Sequence, residues 1–241
     1  MADIPSDKKV TDIMTRLLFI ISIFLLTGCM SADHEQAAIK AARLWDAQKY
    51  SVGKGVSTNT DNGSKKSLTL TLEDLKGVEA DYSKENITSI SAITFLQNLK
   101  EADYDGYSFI KVTLKNNGST FEKEYNISDL KLTKEYFGIV DNFFKKVKAL
   151  DFKEFNSLFD KTEISDSTIT KLQDGFVGMS SDIGKFDKIV VTGFQFNSLA
   201  DTKAPVLVIY ADFSNAKTFV NTNFIINISD KKINHFGINE Q

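Results

Sequence analysis

The sequence predicts an α+β fold in two parts, each a set of helices with an antiparallel sheet. Three observations carry this reading. Apolar residues recur at helical spacing in blocks around residues 37–50, 83–100 and 136–183. Elsewhere the period drops to two, at Leu68, Leu70 and Leu72 and again at Val220, Thr222, Phe224 and Ile226. Asn62-Gly63 and Asn117-Gly118 then supply tight hairpin turns between alternating runs.

The first element is not part of either sheet. Arg16 precedes an apolar run, Leu17 to Leu26, broken only by Ser22, and the run ends in Leu26-Thr27-Gly28-Cys29. It is too short to span a bilayer, which takes about 18–20 apolar residues. An ordinary secretory peptide would explain the run but not the single cysteine of the chain. These residues resemble the bacterial lipoprotein signal, whose lipobox is a branched apolar residue, two small residues and a cysteine. The resemblance implies cleavage before Cys29, a diacylglyceryl group on its sulfur and an acylated N-terminus. Residues 1–28 are then signal, and residues 29–36 a lipidated tether in which His34 is solvated. Asp3, Asp7 and Asp12 precede Met14 where such a leader should be positive, so translation is expected to start at Met14. Met30, not aspartate, follows the cysteine. By resemblance to enterobacterial sorting this implies the outer membrane in a two-membrane envelope.

The mature chain of about 210 residues suits one large or two small domains, read as residues 37–130 and 131–241. Its net charge of −3, with no basic stripe, argues against nucleic acid as a partner. Once Cys29 is acylated no thiol remains for a disulfide, a metal site or a nucleophile. Glycine-rich phosphate loops, paired metal-ligand histidines and nucleophile elbows are missing from the sequence, so neither cofactor nor metal is expected.

In the first part, residues 37–50 are rich in strong helix formers and read as a helix. Residues 52–59 pair across Asp61-Asn62-Gly63 with the Leu68–Leu72 strand. A second helix runs from about Ser83 to Lys100 with Ile87, Ile90, Ile93, Phe95 and Leu96 inward. The hairpin Phe109 to Ile127, turning at Asn116-Asn117-Gly118-Ser119, completes an α-β-β-α-β-β order.

The second part begins with helices. Tyr136, Phe137, Val140, Phe143, Phe144 and Val147 form one stripe. Asp151 and Glu154 read as a capping-box variant opening a short helix through Phe159. A third helix starts at Asp166, and its Gly175 and Gly178 imply either a bend or a closely packed backbone. Four strands follow from Phe186, with Val206 to Phe213 apolar on both faces and so central. Residues 135–241 resemble the NTF2-like, or cystatin-like, superfamily in this order of elements and in the Ala149-Leu150-Asp151-Phe152 segment. That resemblance implies a curved sheet wrapped around helices as a cone. Asn126-Ile-Ser-Asp recurs as Asn227-Ile-Ser-Asp, which leaves an internal repeat open.

Chemistry is thinly signalled. In enzymes of the NTF2-like class, Asp, His or Tyr on the inner sheet face do acid–base work, and Tyr210, Asp212 and His235 are the residues that could converge there. The plainer reading is that Asp212 ends a strand and His235 faces solvent. The many phenylalanines are core residues first, though nineteen of them could also line an apolar pocket. The sequence thus favours a non-catalytic envelope lipoprotein, membrane-held through Cys29, that binds a protein partner or an apolar small molecule. The alternatives are an acid–base isomerase or dehydratase, and an envelope inhibitor or stress protein.

Overall fold

Ser31 is the N-cap of the first described helix, its hydroxyl accepting the His34 N–H. The computed structural model describes residues 30–59, 63–76, 82–199 and 203–239. Helix α1 (Ala32–Leu44) buries Ala37, Ala38, Ala41 and Ala42, a small-residue face that lets it lie close on its neighbours. It therefore starts inside the segment expected to be a tether, and His34 is buried, 3 % exposed, with Nδ1 2.6 Å from the Ser31 hydroxyl. The helix also ends earlier than its composition suggests. Asp46 takes a left-handed φ of 46°, and the chain enters strand β1 (Ala47–Asn59) directly.

β1 pairs antiparallel with β2 (Gly63–Leu75), from Ala47 opposite Leu75 to Asn59 opposite Gly63. Asp61 and Asn62 of the expected turn lie outside the described residues. Helix α2 (Lys84–Gln97) and a one-turn helix α3 (Glu101–Tyr104) come next. β3 (Phe109–Asn116) and β4 (Ser119–Asn126) then form the second hairpin. The strand order is β1-β2-β3-β4, but β2 and β3 run parallel. This corrects the expectation of an antiparallel sheet. The crossover through α2 carries the chain from the end of β2 back to the end where β2 began, so β3 runs in the same direction. The parallel register sets Leu68 beside Ile110, Leu70 beside Val112 and Leu72 beside Leu114, an apolar floor for the helices.

β4 runs without a break into α4 (Ile127–Ala149), which ends at Leu150 in the left-handed region. The capping box at Asp151 does not form. Its carboxylate instead accepts the Lys153 N–H, and a single 3₁₀ turn (Phe155–Leu158) follows. α5 (Asp166–Ile183) has Ser165 as its N-cap. A Cβ at Gly175 or Gly178 would meet no atom within 4 Å, so no backbone packs against those glycines. The second sheet is a wholly antiparallel meander of β5 (Lys188–Ser198), β6 (Pro205–Ser214), β7 (Phe219–Asn227) and β8 (Ile233–Asn239). Irregularities near Thr192 and Asn234 shift its register.

The chain is thus mixed α+β with two four-stranded sheets. Their connectivities differ, and the recurring Asn-Ile-Ser-Asp tetrad opens α4 in one copy but ends β7 in a turn in the other. On the second sheet, Phe143 of α4 is fully buried and meets the rings of Phe155, Phe159, Phe176, Phe213, Phe224 and Phe236 at 4.9–6.2 Å. Several of these contacts are edge-to-face, the geometry that aromatic quadrupoles favour. The chain's own rings fill this interior.

One buried cluster runs through both sheets, and α2 is the reason. Its Ile87, Ile93, Phe95 and Leu96 are buried as expected, but so are Thr88, Ser89 and Ser91. Three directions use those hydroxyls. Ser91 accepts the Trp45 indole N–H at 2.9 Å, Thr88 meets the Tyr125 hydroxyl at 2.7 Å, and Ser89 accepts the Phe194 backbone N–H at 3.1 Å. A helix polar enough to face solvent on one side is instead enclosed between the first sheet and the edge of the second.

Candidate functional site

β4 is an edge strand of the first sheet and β5 of the second. Between them lies a groove of about 210 Å³, lined by Lys123, Tyr125 and Asn126 on one side and by Phe194, Gln195, Phe196 and Asn197 on the other. Glu124, Asp129 and Leu130 complete the wall. Among the described residues no strand-to-strand ladder bridges β4 and β5; beneath the groove α2 and α4 pack against both edges, and Tyr125 of β4 meets Phe194 of β5.

The floor is aromatic and fixed. Tyr125 and Phe194 stand 6.1 Å apart, and Phe194 makes edge contacts with Phe137 at 5.9 Å and Phe196 at 6.1 Å. Burial raises the Tyr125 phenol well above its ordinary range, so it stays protonated and pairs with the Thr88 hydroxyl and the Glu85 carbonyl. The Lys123 ammonium lies 6.0 Å from the Tyr125 ring centroid, and Asn126 donates to the Asp129 carboxylate at 3.0 Å. One cation and two carboxylates among amides and rings leave the groove close to neutral and able to hydrogen-bond in both directions.

The free edge of β5 has a defined orientation. Phe194 gives its N–H to Ser89 and not to β6, so its main-chain groups point off the sheet. In an antiparallel ladder alternate residues face the same way. From Phe194 to Phe196 the pairing with β6 is regular, so the Phe196 N–H and C=O also point off the edge, at the groove.

α2 closes over the β5 edge at Gly193, where a side chain could not fit. A Cβ there would lie 2.2 Å from Cγ of Asn86 and 2.7 Å from its Cβ. Asn86 Oδ1 is buried at this seam and has no hydrogen-bond partner among the described residues. The approach of helix to edge is one of the ways an exposed strand is protected from pairing with other chains. Along β5 that protection stops short of Phe196.

Tyr210, Asp212 and His235 occupy the opposite face of the second sheet from the phenylalanine interior. On β6 they alternate with Ile209, Ala211 and Phe213, which are buried in the core. Tyr210 stands opposite Gly193 and Asn223, and Asp212 opposite Val190 and Asn221. Asp212 accepts hydrogen bonds from the Asn221 amide at 2.8 Å and the Tyr82 hydroxyl at 3.4 Å. His235, opposite Ile225 on β8, is exposed. At sheet spacing it lies about 12 Å from Tyr210 and about 17 Å from Asp212. The three share a face but do not converge, and none lines the groove. Cys29 lies outside the described residues.

Among the described residues no group of three or more His, Cys, Asp or Glu side chains could hold a metal ion, and no helix is long and apolar enough to cross a membrane. No family model, curated protein or solved structure matches the chain. The groove was not legible in the sequence. Its walls are two edge strands some seventy positions apart, and the nearest local signal is the Phe194-Gln195-Phe196-Asn197 alternation, which reads as any half-buried strand.

Proposed function

We propose that this chain is a lipid-anchored protein of the bacterial envelope, held through acylated Cys29. On this reading its folded part binds an extended segment of an envelope protein in the groove between β4 and β5. The observation that carries the binding role is the β5 edge, where Phe196 offers its main-chain donor and acceptor to the groove above an aromatic floor. Strand addition to such an edge draws affinity from main-chain hydrogen bonds and specificity from side-chain pockets. Phe196 supplies apolar surface, and Asn126, Gln195 and Asn197 supply polar contacts that suit a peptide better than a lipid tail.

Two further features support binding over catalysis. The candidate acid–base residues Tyr210, Asp212 and His235 are spread along an outer face, too far apart for a shared proton. The interior of the second sheet is occupied by the chain's own phenylalanines, where a carrier would hold its apolar cargo. The order of α4, α5 and a four-strand meander supports an NTF2-like ancestry for the second part. The anchor itself rests on the residues Leu17 to Cys29, and Met30 after the cysteine supports the outer membrane of a two-membrane envelope.

The test is a photo-crosslinking amino acid at Asn126 or Asn197, with the exposed α5 position Asp174 as control. In intact cells both groove positions should give the same discrete adduct, lost on Cys29→Ala, while Asp174 gives none. Adducts that are absent at both groove positions, or equal at Asp174, would rule the groove out.

A further inference from the structure

Ser31 is already part of the folded body. It caps α1 and its hydroxyl donates to the Asp103 carboxylate at 3.3 Å, while the next turns of α1 are buried in the core. Only Met30 separates it from Cys29, so the Cα atoms of Cys29 and Ser31 are at most about 7 Å apart. An acylated cysteine sits where acyl chains meet headgroups, and each headgroup layer is about 5–8 Å thick. We infer that the end of the molecule bearing the start of α1, α3 and the first turn of α4 rests on the headgroup layer, with no flexible tether beneath it. This rests on the proposed acylation of Cys29 and adds to it an orientation.

The three elements at this end are locked together. Lys100 pairs with Asp33 at 2.8 Å, Lys131 pairs with Glu101 at 3.3 Å, and the Lys131 ammonium also lies 4.9 Å from the Tyr104 ring centroid. Lys100 and Lys131, two of the basic groups at this end, are thus already matched by acids of the protein. Contact with lipid follows from the length of the connection. The groove begins beside this end: Leu130 lines it, and Lys131 is the next residue. A partner segment would then be met close to the membrane surface.

The opposite end is equally well defined. β3 starts just after α3 and runs away from it, and α1 runs alongside in the same sense, because its C-terminus leads into Ala47, opposite Leu75 at the end of β2. Leu44 and Thr120 therefore mark the far end, about 20 Å from the anchored one.

With Cys29 acylated, a new cysteine is a unique labelling site. A fluorophore on Ala102→Cys, Leu44→Cys or Thr120→Cys is read in vesicles carrying a headgroup-linked quencher, with flotation as the measure of anchoring. Quenching should be at least about twofold stronger at Ala102 than at Leu44 or Thr120, given the depth of the headgroup layer and the length of the strand. Inserting a 12-residue Gly/Ser linker after Met30, with an end-to-end length of about 20 Å, should abolish the difference. Equal quenching at all three positions in protein that floats would overturn the fixed orientation alone. Protein that does not float would overturn the anchor and the orientation with it.

Discussion

Replacing Ser89 with alanine should loosen both sheets at once. The substitution removes the acceptor of the Phe194 N–H, which is buried at the α2–β5 seam. A buried donor left without a partner costs about 1–3 kcal/mol. Alanine returns up to about 0.5 kcal/mol through better helix propensity. For a chain of this size each kcal/mol moves Tm by about 2–4 °C, so a loss of about 1–12 °C is expected. Ser181→Ala is the control: its hydroxyl donates to the Val177 carbonyl of its own helix, as that of Ser89 does to the Asn86 carbonyl, but it is exposed on α5. That variant should stay within about 0.5 kcal/mol of the parent. Trp45 is the single tryptophan and belongs to the first part, so its fluorescence reports that part, while far-UV circular dichroism reports the whole chain. The two probes should give one coincident transition in the parent and in Ser89→Ala, as shared burial requires. An unchanged Tm, or a variant whose two probes separate, would refute α2 as the element that joins the sheets.

Other outcomes follow from the same contacts. Gly193→Ala drives a methyl into Asn86 and should cost about 1–3 kcal/mol by overpacking, measured by urea unfolding. Phe143→Ala empties the centre of the ring cluster and should cost about 3–5 kcal/mol, whereas Phe143→Leu keeps most of the volume and should cost less. His235→Ala, exposed on β8, should leave Tm unchanged within about 0.5 kcal/mol. Burial raises the phenol pKa of both Tyr125 and Tyr136 in the folded state. Above about pH 10 the unfolded chain loses those protons and the folded chain keeps them, so stability should fall as pH rises past that point. Ultraviolet titration should therefore show a late phenolate step coincident with unfolding, diminished in Tyr125→Phe and Tyr136→Phe.

Local periodicity found the elements that own a clean face. The Leu68-Leu70-Leu72 alternation, the Asn117-Gly118 hairpin, the α4 stripe and the both-faces-apolar run of β6 each bury one pattern against one neighbour, so spacing alone identified them. What escaped was decided at a distance. The first sheet is mixed because a helix crosses between β2 and β3; that helix was legible, but the strand against which β3 pairs, and so its direction, was not. His34 looks like a solvated tether residue until Ser31 caps the helix beneath it. Thr88, Ser89 and Ser91 lie outside the apolar stripe read for their helix, yet each serves a different buried partner. Asp151 and Glu154 carry the residue types of a capping box, but Glu154 takes φ 59° and leads into a 3₁₀ turn. The groove depends on that same long-range packing, since it exists only where α2 brings two edges side by side. Tyr210, Asp212 and His235, expected to converge on the inner sheet face, share instead the face turned away from the packed interior and lie apart on it.

The anchor is the part of the functional reading open to the most direct chemical check. Intact-mass and N-terminal peptide analysis of the protein isolated from a bacterial envelope would read it in one step. The expected N-terminus is Cys29 carrying a diacylglyceryl thioether, with residues 1–28 absent. A mature chain that retains the Leu17–Leu26 segment, or that bears a free thiol at Cys29, would contradict a lipid-anchored envelope protein.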